Sequence, residues 1–414
     1  MQHPLRFAAL LVLLLLPACK DATAPDSRPP LLTQLPRPLS TAEARVIEAS
    51  NAFAFDLLRE ITRTLPADSN AFLSPLSAGM ALAMALNGAN GETYDSMQAT
   101  LRLSGLAEGE INQGYKDLIA LLLSLDSRTE MKIANSMWAD QRLPVQQPFI
   151  DAGKTFFDAV VDTLDFTSPS AVSTINDWVS RKTNQRIPTL LEQISPDEVL
   201  FLINAIYFKG NWRDAFERED TKPGPFYTAA GSTRTAQLMS QADSLHYHET
   251  AEYQAVDLLY GNGAFSMTVL LPQQGQTPAE LLGTMTAETW KDLAGRFQEH
   301  DMHLTLPRFR MEYSRKLNED LTVLGMGIAF DKDRADFYRI ADVRPDRLYI
   351  SRAEQKTFVE VNEEGTEAAA ATAVGIGVTS GPLEMVVDRP FVFAIRERLS
   401  GTVVFLGVIN TVGE

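Results

Sequence analysis

The chain of 414 residues has a single cysteine, Cys19, placed ahead of any pattern that reads as folded structure. Disulfides are therefore excluded as staples of the body, and burial of apolar surface has to hold the fold. Histidine is also scarce. There are five, and His3 belongs to a leader expected to be removed. His246 and His248 share one face of an expected strand with Glu249 nearby, while His300 and His303 straddle an expected helix-to-strand junction. Such histidines usually belong to a solvated surface, so no metal site and no cofactor are assigned. The sequence has no Gly-x-Ser-x-Gly elbow, no His-Glu-x-x-His, no P-loop and no dinucleotide fingerprint. A Ser/His/Asp triad is set by geometry and leaves no spacing to read, and nothing here points to one. Positive charge is in deficit, with 37 Lys and Arg against 53 Asp and Glu and a formal charge of −16. That balance argues against nucleic acid or heparin-like polyanions as partners, and the dispersed acids read as a soluble surface.

The most telling absence is local. From Ala368 to Leu383 there is neither a charge nor an aromatic ring, although the chain is 22% charged. Composition alone makes this a flexible Ala/Gly linker. Alternate residues of a strand, however, face opposite sides of a sheet. Read with that period, Thr366, Ala368, Ala370, Thr372 and Val374 form one row in which nothing exceeds valine. Glu367, Ala369, Ala371, Ala373 and Gly375 form the other. The first row is small enough to pass between packed layers.

The N-terminus reads as an address. Arg6 supplies a weak positive region, Phe7 to Leu16 is apolar, and Leu16-Pro17-Ala18-Cys19 closes it. That run is too short to span a bilayer but suits a signal peptide of residues 1–18. Cys19 then reads as the lipidated residue of a bacterial lipobox, with an ordinary secretory signal as the alternative. Residues 19–40, with Pro25, Pro29, Pro30, Pro36 and Pro38, form a tether too rich in proline for regular structure. Ser40-Thr41-Ala42-Glu43 has capping-box spacing, followed by Val46, Ile47, Phe53, Leu57, Leu58 and Ile61 at helical intervals, so one body is expected over 41–414. Ser74 with Pro75 marks a second helix start, which Gly88 would end. Val199 to Phe208, Ser266 to Leu271, Met302 to Phe309, Gln355 to Val361 and two C-terminal runs read as strands. Helical patterns fill the first two hundred residues and strands the remainder, which favours α+β.

The frame around the uncharged stretch adds a further signal. Glu363-Glu364-Gly365-Thr366-Glu367-Ala368-Ala369-Ala370-Ala371-Thr372 precedes it, and Asp388-Arg389-Pro390-Phe391 opens the strand beyond. Asn70 to Ser77 with Ala81 to Ala89, Asn204 to Trp212, and Ala335-Asp336-Phe337 follow the same order and spacing as in one family. Over roughly residues 42–414 the chain resembles the serpins, a family of serine protease inhibitors. The resemblance implies eight to nine helices around three β-sheets, with an exposed reactive-centre loop at about 363–388. That loop is bait: a protease cuts it, forms an acyl-enzyme, and is trapped when the cut loop inserts into the main sheet as a new strand.

Carried over residue by residue, the resemblance makes Glu363 to Thr372 the hinge and Thr379-Ser380 the scissile bond, or Val378-Thr379 if the register slips by one. It assigns Ser74, Ser77, Asn204 and Gln355 to a polar cluster at the sheet opening; Gln355 stands where the family often has histidine. Trp212 falls at the top of the sheet, and Arg308 becomes the partner of Glu363. No Lys or Arg lies between Lys356 and Arg389, so elastase-like or subtilisin-like proteases are expected rather than trypsin-like ones. The expected product is a monomer exported across the inner membrane and lipid-anchored at Cys19, periplasmic or at the cell surface, with the outer membrane preferred. Two other readings stay open. One is a non-inhibitory serpin that acts as a cell-surface binding protein. The other is a lipid-anchored periplasmic hydrolase or solute-binding protein.

Overall fold

The computed structural model describes residues 28–366 and 383–413. Cys19, Val378, Thr379, Ser380 and the hinge residues Glu367, Ala368, Ala369, Ala370, Ala371 and Thr372 lie outside the described residues.

The first helix, Thr41–Thr64, starts as its capping box requires. The Glu43 amide donates to Ser40 Oγ at 3.1 Å, and the Ser40 amide donates to the Glu43 carboxylate at 2.7 Å. Arg37 closes the corner with two 2.7 Å bonds to the same carboxylate, which is fully buried. The periodic residues Val46, Phe53, Leu57, Leu58 and Ile61 are all buried. The second helix, Pro75–Leu86, is capped by Ser74 Oγ, which accepts from the Ser77 amide at 3.3 Å. Its residues are buried on nearly every side, as befits a helix inside the core. The helix ends at Leu86, with Asn87 as its C-cap. Gly88 has a packing duty instead, since a Cβ there would lie 2.1 Å from Ile340 Cγ1.

Strands follow the helices in two hydrogen-bonded sheets. The nine-stranded sheet runs Ala71–Leu73, Val403–Ile409, Phe391–Glu397, Phe265–Pro272, Tyr253–Leu259, Thr233–Glu249, Gln298–Pro307 and Leu383–Val386, with Lys222–Tyr227 beside Thr233–Glu249. The long Thr233–Glu249 strand changes partners along its length, from Lys222–Tyr227 and Gln298–Pro307 to Tyr253–Leu259. It thereby joins two leaves, which with the main sheet make the three expected sheets. Phe265–Pro272, Phe391–Glu397 and Val403–Ile409 are buried at every position, which explains why apolar residues occupy both faces of each; the buried Arg396 among them is paired with Asp257 at 2.7 Å.

The main sheet has six strands in the order Phe309–Lys316, Glu354–Asn362, Gly365–Thr366, Leu200–Asn211, Glu130–Asp140 and Val160–Leu164. The helix Pro169–Lys182 covers part of its outer face, packing Ile175, Trp178 and Val179 against Trp138, Phe201 and Ile203. Nine α-helices are present among the described residues, so the fold is α+β. The expected strand Met302 to Phe309 proves to be two strands in different sheets. One ends at Pro307, which has no amide to extend a ladder, and the next starts at Phe309. His300 and His303 both lie inside the first of these, not at its junction with a helix.

Candidate functional site

The two halves of the main sheet meet at a short seam. Among the described residues, the two-residue strand Gly365–Thr366 is the only ladder joining Glu354–Asn362 to Leu200–Asn211. Gly365 pairs with Asn362 and Asn211, and Thr366 with Val361 and Gly210. Farther along, the halves flank a cavity of about 470 Å³, with Leu202, Ile203 and Asn204 on one side and Glu354, Gln355 and Lys356 on the other.

Glycine is required at the turn into this seam. Gly365 has φ +144°, and an added Cβ would lie 2.1 Å from the Gly210 carbonyl oxygen and 2.7 Å from Asn211 Cα. Thr366, 2% exposed, points inward, and its hydroxyl meets the buried Tyr260 hydroxyl at 2.8 Å. The first member of the small alternate row therefore faces the interior.

The acidic pair before the glycine is held from the Trp212–Thr221 segment and from Arg308. Carbonyls 363 and 364 accept from the amides of Phe216 and Trp212, each at 2.9 Å. The Trp212 indole donates to the Asn362 carbonyl at 2.9 Å, and its ring stacks on Tyr260 at 4.5 Å. Glu363 takes Arg308 Nε at 2.7 Å and Nη2 at 2.5 Å, and also accepts from the Thr221 hydroxyl. Glu364 pairs with Arg218. Arg218 and Thr221 had no distinguishing signal in the sequence, because Glu217-Arg218-Glu219-Asp220 reads as a solvated charge run.

Burial drives the Glu363 carboxyl upward, but its bonds from Arg308 and Thr221 outweigh that and leave it below the usual glutamate value of 4.5. A carboxyl that titrates lower when folded contributes stability that is complete above its unfolded value. That stability is lost as pH falls through the depressed folded value. Removing Arg308 leaves the 2%-exposed carboxylate with its hydroxyl partner alone. Arg308→Ala should thus lower the thermal midpoint most near neutral pH. The gap to the parent should close as acid protonates Glu363, which thermal scans over a pH series would show.

The second cluster lies seven residues down the Leu200–Asn211 strand, about 23 Å from the seam at strand rise. Gln355 clamps the start of the second helix with both ends of its amide: the Ser74 amide donates to Oε1 at 3.0 Å, and Nε2 donates to the Ser74 carbonyl at 2.7 Å. Ser74 Oγ donates to the Val404 carbonyl, and Ser77 Oγ to the Asn204 carbonyl at 3.4 Å. The Asn204 amide donates to Asn135 Oδ1 at 2.6 Å, and Asn135 donates to the Phe157 carbonyl. Asn135, 2% exposed, completes the cluster, and nothing in its local sequence distinguishes it from its strand neighbours.

Because an amide does not titrate at these pH values, the Gln355 clamp has no pH dependence of its own. Gln355→Leu would strand the Ser74 N–H beneath the sheet, at about 1–3 kcal/mol, while the Ser74 carbonyl keeps its 3.0 Å bond from the Ala78 amide. The expected result is a lower urea midpoint with an unchanged m-value.

The sequence-assigned residues thus form two groups: Trp212, Arg308, Glu363, Glu364, Gly365 and Thr366 at one end of the sheet, and Ser74, Ser77, Asn204 and Gln355 beneath it. The scissile candidates Val378, Thr379 and Ser380 are outside the described residues.

Comparison with known proteins matches this arrangement. A family profile described as "Serpin (serine protease inhibitor)" matches residues 48–412. Human serpin B3 is 33% identical over 386 residues, spanning 87% of this chain and 97% of that protein. Human leukocyte elastase inhibitor is 32% identical over 376 residues, with 87% and 97% covered. Among solved structures, the thermophilic serpin tengpin in its native state superposes with a TM-score of 0.83 at 28% identity, covering 93% of this chain and 97% of that one.

Proposed function

Since the chain belongs to the serpin family of serine protease inhibitors, we propose that it is an inhibitory member that traps elastase-like or subtilisin-like serine proteases as acyl-enzymes. The observation that carries this reading is the Gly365–Thr366 strand, already seated between the two halves of the main sheet with Thr366 facing inward. A strand begun there extends by adding Ala368, Ala370, Thr372 and Val374 to the same inward row, all small. Cleavage of the loop frees it to follow this row into the sheet. The attached protease is carried along and its active site distorted before deacylation. The proposed scissile bond is Thr379-Ser380, and the uncharged residues around it suit an apolar specificity pocket. That one relative is named leukocyte elastase inhibitor supports the same direction.

The proposal extends to the address. Export across the inner membrane, cleavage before Cys19 and lipidation of its thiol would hold the protein at a periplasmic or cell-surface membrane, with the outer membrane preferred.

The test mixes residues 28–414 with pancreatic elastase, subtilisin and trypsin, followed by denaturing gels and mass spectrometry of the released C-terminal peptide. A denaturant-stable adduct with elastase or subtilisin, and a peptide beginning at Ser380, are expected. Cleavage without an adduct would overturn the inhibitory reading in favour of a serpin that is only a substrate.

A further inference from the structure

The proline-rich segment ahead of the first helix lies on the body, and it does so at one particular place. Arg28 pairs with Asp214 at 2.7 Å. Arg213 donates to the Pro29 carbonyl at 2.8 Å. The Leu32 amide donates to the Asn262 carbonyl at 2.8 Å, and the Leu32 carbonyl accepts from Arg398 at 2.5 Å. Leu32, Leu35 and Leu39 pack against the core. Gly263 leaves room for Leu31, whose Cδ1 would lie 2.4 Å from an added Cβ. Prolines suit such a strap because they lower the entropy lost on docking.

The strap ends beside the hinge. Arg213 and Asp214 directly follow Trp212, whose indole and amide hold carbonyls 362 and 364. The opposite pole is a strand length away: Leu200–Asn211 spans 12 residues, about 40 Å, with its last residue at the hinge. Between Cys19 and Arg28 there are only nine residue steps, which reach at most about 30 Å even fully extended. That reach is shorter than the sheet. A tether leaving the body at Arg28 therefore cannot let the far pole rest on the membrane with the hinge pole pointing away.

We propose that the docked strap orients the lipid-anchored protein with its hinge-bearing pole toward the membrane, so that proteases must reach the loop from that side. This rests on the lipidation of Cys19 proposed above. Arg28 to Leu39 would then do more than lengthen the anchor: its contacts decide which face of the body the membrane sees.

The test uses the full chain purified with its native lipid and reconstituted into phosphatidylethanolamine/phosphatidylglycerol vesicles that carry a headgroup energy acceptor. With the Cys19 sulfur blocked by its lipid, an introduced cysteine is the only site for a donor dye. Glu219→Cys places the dye on the exposed turn beside the hinge; Pro196→Cys places it beyond the start of Leu200–Asn211. The expected result is energy transfer several-fold stronger from position 219 than from 196, and loss of that difference when L32D and L35D release the strap. Equal or reversed transfer in a vesicle-bound chain overturns the orientation alone. A difference that survives L32D/L35D overturns the role of the strap. A chain that fails to bind vesicles and reacts with dye at Cys19 overturns the proposal through the anchoring on which it rests.

Discussion

If the proposed trapping of elastase holds, Thr366→Arg is expected to turn the trap into a substrate, with the share of encounters ending in a trapped adduct falling about a hundredfold. The magnitude follows from competition between two fates of the acyl-enzyme, insertion of the cut loop or hydrolysis of the ester. A barrier change of about 3 kcal/mol in one branch shifts the partition by about that factor. Thr366 is 2% exposed, and its hydroxyl sits on the buried Tyr260 hydroxyl. A guanidinium there would lie in the seam without a carboxylate to meet it, which drives the Gly365–Thr366 strand out of the sheet and removes the start from which the cut loop extends; an unpaired buried charge costs several kcal/mol even after relaxation. Hydrolysis needs nothing from this position, so the branches separate cleanly. Thr366→Val keeps the volume and loses one hydroxyl contact, so it should retain trapping. Adduct yield on denaturing gels, titrated against inhibitor concentration, reads the partition directly. Undiminished trapping by Thr366→Arg would show that this row does not enter the sheet, and the proposed mechanism would fall with it.

The parts of this machinery legible in the sequence were those with a local or periodic signature. The capping box at Ser40, the Ser74-Pro75 helix start and the continuous apolar strands near the C-terminus fold as their patterns dictate, because each is decided within a few residues. The small row starting at Thr366 was visible because strand alternation is itself local. What remained hidden depends on partners far apart in the chain. Arg218 acquires meaning only when Glu364, 146 residues later, is brought beside it. Asn135 becomes a member of the polar cluster only through its cross-strand pairing with Asn204. The break at Pro307-Arg308 is hard to read because apolar residues lie on both sides of it; the alternation changes phase there, from Met302, Leu304 and Leu306 to Phe309 and Met311, as the chain changes sheet. The docked strap is hidden in the sequence for the opposite reason. Proline-rich composition excludes helix and strand, but it says nothing about whether an irregular segment finds donors and acceptors on a surface, as Pro29 and Leu32 do.

A single arginine in the loop should redirect the inhibitor to trypsin, and its position should reveal the register. Between Lys356 and Arg389 the chain offers no basic residue. A protease whose specificity pocket ends in a buried carboxylate would have to close on that loop with its charge unpaired. Breaking a buried pair in this way costs about 3–5 kcal/mol, equivalent to a rate difference of about a hundred- to several-thousandfold. Thr379→Arg supplies the missing cation if Thr379-Ser380 is the scissile bond. Trapping of trypsin should then rise by a factor in that range, while trapping of elastase falls because an apolar pocket must bury an uncompensated guanidinium. Val378→Arg would have the same effect only if the cut lies one residue earlier, between Val378 and Thr379. The two variants, assayed side by side with mass spectrometry of the released peptide, should disagree sharply: one gains trypsin trapping and the other does not. If neither gains it, the specificity residue lies elsewhere in the uncharged stretch, and the count from Glu363 is wrong.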